Sequence, residues 1–448
     1  MTRIRAALGL LLAALFVTTA VPASRAQAPA AQTAPPETVV LKAARMITIA
    51  SPAVVLNAAI VVTGDRIVAA GPASSVAVPA GARVVELGDV TLLPGFIDAH
   101  THITGRTLGD PMADLSSVKD YPGYAAILGV SNAQKTLMAG FTSIRVVGSG
   151  DFGDMALRQA IDDGRAIGPR MAAAGHALGI TGGHCDDNGW RPGLLERSYR
   201  EGVANGPEEV RAAVRYQVKY GADVIKACAT GGVLSEGDAV GATQYTYEEM
   251  KAIVDEATKL GRKVAAHAHG TEGIKIATRA GVASIEHGSF LDEEGAKLMV
   301  QHGTILVPTL MAGAGVEGFA KNGVLKGLRA EKALAAAAAM RNGIRLAAAH
   351  KVQIALGTDA GVIQHGTNAR EFGLMVEWGG LTPIASLTAG TLNGAKLFGW
   401  EKRVGSIEAG KLADIVAVLG NPLEDIHRTE HVSFVMKNGV IYKGAGAR

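Results

Sequence analysis

Apolar positions along the chain follow two regimes. Between residues 38 and 91, and again from 413 onward, they form short β-rich runs. Thr38–Leu41, Ala58–Val62, Arg66–Ala70 and Arg83–Leu87 make the first set; Ala413–Val418, Val432–Lys437 and Val440–Lys443 make the second. Gly64-Asp65, Gly71-Pro72 and Asn438-Gly439 punctuate them as turns, the last a strong hairpin signal. Between the two sets, apolar runs alternate with helical stretches. Leu93–His102, Ser143–Val147, Arg170–Ala174, Val224–Ala229, Lys263–Ala268, Ser284–Glu286, Thr304–Val307 and Gln353–Leu356 read as strands. Pro207–Tyr220, Tyr247–Leu260, Gly273–Ala280 and Ala330–His350 read as helices, and Pro207-Glu208-Glu209 suits a first helical turn. Eight strand–helix repeats predict an α/β protein, a (β/α)8 TIM barrel over 93–398. The flanking parts, 38–92 and 399–448, are each too short to stand alone and are expected to join in one small β-sandwich.

The first 37 residues follow neither regime. Arg3 and Arg5 precede a short apolar run, Ala6 to Val17, and Ser24-Arg25-Ala26 resembles a small-x-small cleavage site. Residues 1–26 therefore read as a secretory signal cleaved near Ala26, and 27–37 as a flexible leader. Export to a bacterial periplasm is the expectation, with no membrane contact by the mature chain. Aromatics at 4% and 57 glycines in 448 residues suit tight strand–helix connections. A net charge of +3 without a basic block argues against a nucleic-acid partner.

The ends of the predicted strands carry the candidate chemistry. His100 and His102 are two apart, so a strand would project both imidazoles from one face, as half of a metal site. Asp98, on that face, is a candidate to orient a ligand. Lys226, His267, His287 and Asp359 occupy the same position on the fourth, fifth, sixth and eighth strands. Catalytic groups of such barrels sit on that rim. A buried lysine on a barrel strand is costly unless paired. Lys226 is thus an ion-paired core lysine, a Schiff-base nucleophile or a carbamylated lysine. Asp359 has a bland alternative as a helix cap. Cys185 and Cys228 lie close in sequence to His184 and Lys226, which favours two small buried thiols over a disulfide. Arg145 and Tyr245 are further candidates for contacting substrate that spacing leaves unassigned.

Pro94-Gly95-Phe96-Ile97-Asp98-Ala99-His100-Thr101-His102 resembles the opening signature of the amidohydrolase superfamily. Gly405-Ser406-Ile407-Glu408-Ala409-Gly410-Lys411-Leu412-Ala413-Asp414-Ile415-Val416 resembles its closing signature. Lys226 points to the two-metal branch. Thr181-Gly182-Gly183-His184, Ile225-Lys226-Ala227, Ala266-His267-Ala268-His269-Gly270 and Ile285-Glu286-His287-Gly288 are similar to the Xaa-Pro dipeptidase-like and ochratoxin-hydrolysing members. The resemblance implies two divalent ions, zinc by preference. One would be held by His100, His102 and Asp359, the other by His267 and His287, with carbamylated Lys226 bridging them. It implies a metal-bridging hydroxide as nucleophile, Asp359 as proton shuttle, and His184 as a donor to the substrate carbonyl or carboxylate. His269 would touch substrate, although the ligand roles of His267 and His269 could be exchanged. A small-molecule amide or dipeptide substrate and a homo-oligomer, an octamer among the options, complete the implied picture. The alternatives are hydrolysis of a cyclic amide, lactone or phosphotriester at the same site, or a non-catalytic scaffold.

Overall fold

A computed structural model of the chain describes residues 37–447. The expected signal segment, and all but the last residue of the expected leader, lie outside the described residues. Five strands open the described chain: β1 Thr38–Ile47, β2 Val54–Thr63, β3 Arg66–Pro72, β4 Arg83–Glu86 and β5 Val90–Pro94. Seven follow in the central part: β6 Phe96–Thr101, β7 Phe141–Val146, β8 Arg170–Ala173, β9 Val224–Cys228, β10 Lys263–Ala268, β11 Ser284–His287 and β12 Ile305–Val307. Three close it: β13 Ile415–Leu419, β14 Val432–Lys437 and β15 Val440–Lys443.

The two ends of the chain do meet, in one eight-stranded mixed sheet of order β15-β14-β13-β5-β1-β2-β3, with β4 on β1. The seam is β13 antiparallel to β5, from Ile415 opposite Pro94 to Leu419 opposite Val90. Alternation explains why this sheet is apolar on both sides. Leu92, Ile415, Ala417, Phe434 and Met436 fill a core of its own, while their neighbours Leu93, Val416, Val418 and Val435 pack into the central core. The Asn438-Gly439 turn joins β14 to β15 with both residues at positive φ, 50° and 76°, as a two-residue hairpin requires.

The run expected as one strand, Leu93–His102, is broken. β5 belongs to the terminal sheet and β6 to the central part, and Gly95 turns the chain between them. A Cβ there would lie 2.2 Å from Thr142 Oγ1, so the close approach of backbone to β7 admits only glycine.

The central strands form two parallel sheets, β6-β7-β8 and β9-β10-β11-β12. The helices Gly206–Lys219, Tyr247–Lys259, Thr271–Ala280 and Gly327–Ala349 match the four expected ones to within three residues at each end. Thr246 caps the second with Glu249 as a capping box. The eighth expected strand, Gln353–Leu356, is reduced to a single parallel bridge between Ile354 and Leu306. Its backbone is nevertheless engaged on both sides. Leu306 N–H donates to Gln353 O at 2.9 Å, and Ala99 N–H donates to Leu356 O at 2.8 Å. Asp223 N–H donates to Ala173 O at 2.8 Å, joining the ends of β8 and β9. Among the described residues no helix is long and apolar enough to cross a membrane.

Candidate functional site

The ends of the parallel strands bring six of the candidate residues into two adjoining groups. His100, His102 and Asp359 offer ligand atoms within 4.8 Å of one another; so do His267, His269 and His287. The groups adjoin, with the His100 and His287 ring centroids 5.0 Å apart. His269, expected to touch substrate, therefore stands in the same cluster as His267 rather than apart from it. Two of these residues hold left-handed backbone that non-glycine residues rarely adopt, His287 at φ 70° and Asp359 at φ 59°. Such strain persists where surrounding structure over-determines it, commonly at sites of function.

Each imidazole is oriented through its other nitrogen. His100 Nδ1 lies 2.7 Å from Glu286 Oε2, and His102 Nδ1 is 3.2 Å from Gly148 O. His269 Nδ1 meets Ser289 Oγ at 2.6 Å and His287 Nδ1 meets Thr309 Oγ1 at 2.7 Å. His267 is turned the other way, its Nε2 3.3 Å from Gly231 O, which leaves Nδ1 free. Thr309 is itself left-handed, and both oxygens of buried Glu371 accept the N–H groups of Leu310 and Met311 that follow it.

Sequence reasoning missed Glu286 as an orienting group and left Arg145 unassigned. Arg145 is buried behind His100, outside the residues that line the cavity. It donates to Ala99 O, Ser284 Oγ and Glu286 Oε1 at 2.6, 3.1 and 2.8 Å. The same reasoning that flagged Lys226, an unaffordable charge on a buried strand, applies equally to Glu286. Tyr245 is likewise fully buried, its hydroxyl donating to Ala204 O at 3.3 Å. Asp98 holds backbone instead of a ring. It accepts the N–H groups of His100 and Thr358 and the side chains of Thr358 and Asn368.

The charges favour a cation. Burial lowers His102 and His184 to about 4 and His269 to about 3, and pushes His267 and His287 well below the usual imidazole range. Neutral imidazoles are the form that binds a metal. Burial opposes ionisation of Asp359, but His100, His102 and His287 outweigh it and hold the carboxyl well below its ordinary value. Asp359 Oδ1 is buried, has no hydrogen-bond partner, and lies 3.4 Å from both His100 Nε2 and His102 Nε2. A buried carboxylate oxygen is not left bare without a reason. The two imidazoles turn their Nδ1 atoms to Glu286 and Gly148 O and their Nε2 atoms to Asp359, and a divalent ion among these Nε2 atoms and Oδ1 satisfies all three. Burial lowers the Lys226 ammonium to about 8, against the attraction of Glu286 and Asp359.

These groups line a cavity of about 240 Å³ together with His184. The His184 ring stacks on His267 with centroids 4.1 Å apart. Its loop is tied down by a Cys185–Cys228 disulfide, which replaces the two free thiols expected from sequence. The Cα atoms stand 6.1 Å apart, within bridging distance, because the loop carrying Cys185 folds over the end of β9. The far wall is apolar: Val233, Leu234, Val316, Ala336 and Met340. Val233, Val316, Ala333 and Ala336 belong to a hydrophobic cluster separate from the central core.

Comparison with known proteins agrees with this geometry. Residues 91–444 match the model of the amidohydrolase family. The chain belongs to the amidohydrolase family. It is a hydrolase of amide carbon–nitrogen bonds. The amidohydrolase is 35% identical over 381 residues to ochratoxinase of Aspergillus niger, covering 79% of this chain and 76% of that one. Its fold is similar to a crystal structure of a Xaa-Pro dipeptidase with methionine bound in the active site. There the TM-score is 0.87 and the identity 39%, over 91% of this chain and all of the other. The crystal structure of A. niger ochratoxinase superposes with a TM-score of 0.79 at 31% identity, over 92% and 97% of the two chains.

Proposed function

We propose that this amidohydrolase is an exported two-metal enzyme that cleaves an amide bond to a terminal amino acid. The substrates it fits are Xaa-Pro or other dipeptides, N-acyl amino acids, and aryl amides of the ochratoxin A type. The single observation that carries the reading is the unpartnered Asp359 Oδ1 between His100 and His102, beside a second cluster of neutral imidazoles at an apolar cavity. The relatives support the substrate class, one of them acting on ochratoxin and another named for Xaa-Pro dipeptides. Export rests on the pattern of residues 1–26, and a homo-oligomer, an octamer among the forms, on the same kinship. Closure of the two parallel sheets into one (β/α)8 barrel is supported by the backbone hydrogen bonds that join β8 to β9, and residues 353–356 to β12 and β6.

In this reading His100, His102 and Asp359 would hold one zinc-like ion, and His267 and His287 the other. Lys226 lies in the same cavity with its ammonium lowered to about 8, so part of it is a free amine at neutral pH. That amine would add to carbon dioxide with loss of a proton, giving a carbamate that would supply oxygen ligands to the ions. Bound divalent ions supply a lowered pKa for water and a polarised carbonyl. Asp359 accepts a proton from the attacking water and delivers it to the leaving nitrogen, which is a poor leaving group until protonated. His184 and His269 border the substrate, and the apolar wall excludes water from its side chain.

The test is elemental analysis of the mature chain with a hydrolysis screen of dipeptides, N-acyl amino acids and ochratoxin A. About two metal ions per chain, with metal and activity both lost in Lys226→Ala, is the expected result. One metal or none, with Lys226→Ala still active, overturns the two-metal reading.

A further inference from the structure

His184 lies at the end of a chain of hydrogen bonds that starts outside the catalytic cluster. Lys332, almost fully buried on the helix Gly327–Ala349, donates to Asp238 Oδ1 at 3.0 Å and to the carbonyls of Ser235 and Asp238 at 2.8 and 3.1 Å. Asp238 Oδ2 also accepts from Gln244 Nε2 at 3.1 Å. Ser235 Oγ sits 2.8 and 2.9 Å from the two Asp238 oxygens. It lies 3.0 Å from His184 Nδ1 and 3.3 Å from Gly232 N.

Counting protons settles the direction of each bond. The hydroxyl has one hydrogen and two lone pairs. Oxygens 2.8 Å apart with no proton between them repel, and a carboxylate paired with Lys332 has none to give. The Ser235 hydrogen therefore points at Asp238. The Gly232 carbonyl, a neutral acceptor at 3.3 Å, competes poorly with a charged one. Ser235 Oγ is left with lone pairs only. Gly232 N–H uses one, and His184 Nδ1 must bring its own hydrogen to the other.

We infer that Lys332, Asp238 and Ser235 are positioning residues that hold His184 through a hydrogen on its Nδ1, leaving Nε2 as the nitrogen available to the substrate. The loop allows the contact because residue 232 is glycine. A Cβ there would lie 2.1 Å from His184 Cε1. What Nε2 serves rests on the amidohydrolase reading of the cavity, whereas the hydrogen on Nδ1 does not.

Neutron diffraction from deuterium-exchanged crystals of the metal-loaded enzyme reads the protons directly. Deuterium on His184 Nδ1 and on Ser235 Oγ toward Asp238 is expected. Deuterium on Nε2 and not on Nδ1 overturns the inference. An enzyme inactive on every amide tried, but with the expected deuterium pattern, would sink the substrate reading and keep the inference. Kinetics test the consequence. Ser235→Ala should lower kcat/KM about tenfold, the scale of one lost hydrogen bond, with metal content unchanged. Ser235→Thr, which keeps the hydroxyl, should restore it. No loss in Ser235→Ala, or an equal loss in Ser235→Thr, overturns the positioning role.

Discussion

Glu286 Oε2 lies 2.7 Å from His100 Nδ1, while Arg145 holds the other carboxylate oxygen at 2.8 Å. A buried ion pair thus stands behind His100 and sets which of its nitrogens faces the cavity. Arg145 first, then His100, outweighs burial and brings the Glu286 carboxyl down to about 2. An outer partner of this kind typically contributes 10–100-fold to metal affinity. Glu286→Gln should therefore weaken zinc retention by about that factor, measured by competition with a chelator. Retention equal to the unaltered protein would remove Glu286 from the metal site.

Gly95 faces Thr142 across a gap that no side chain fits. Gly95→Ala should destabilise the fold by about 1–3 kcal/mol, the usual scale of overpacking. Adding Thr142→Ala, which removes Oγ1 and Cγ2, should return part of the loss. Thermal unfolding of the single and double variants decides it, and additive effects would mean the two positions do not meet.

The Cys185–Cys228 disulfide spans 43 residues of sequence. Removing a bridge of that span costs about 2–4 kcal/mol in the chain-entropy picture. A reductant should lower Tm, and the Cys185→Ala/Cys228→Ala double variant should show the lower Tm with or without it. A Tm indifferent to reductant would mean that the pair is not bonded.

Burial pushes the Glu371 carboxyl up to about 8, despite its two N–H bonds and with Asp98 adding to the rise. A folded-state value above the ordinary 4.5 favours the fold below that pH, and the contribution is lost as pH climbs toward 8. Urea unfolding at pH 5 and pH 8 checks this. The unaltered protein should lose more stability over the interval than Glu371→Gln, where no carboxyl titrates. Equal losses would place the Glu371 carboxyl at its ordinary value.

Much of the site was legible because strand ends and period-two alternation leave marks in sequence. His100, His102, Lys226, His267, His287 and Asp359 were found that way, and all of them line one cavity. What stayed hidden depends on distance across the fold. Cys185 and Cys228 meet because a loop folds back over β9, and nothing in their spacing encodes that. The 353–356 segment is apolar enough to read as a strand, yet it forms one bridge because its other hydrogen bonds reach past a regular ladder. Glu286 and His287 are neighbours in sequence with opposite placements, one behind the His100 ring and one beside it at the cavity. The left-handed turn at His287 that arranges this has no signal in residue type.

The wall of Val233, Val316 and Ala336 has a hydrophobic core apart from the one that supports the strands. The packing of these three residues is thus set apart from that of the strands that carry the histidines. Substitutions at Val316 and Ala336, on the helices Leu310–Lys321 and Gly327–Ala349, should reshape the cavity while the histidines keep their places. Such a division lets a lineage change diet without relearning its chemistry.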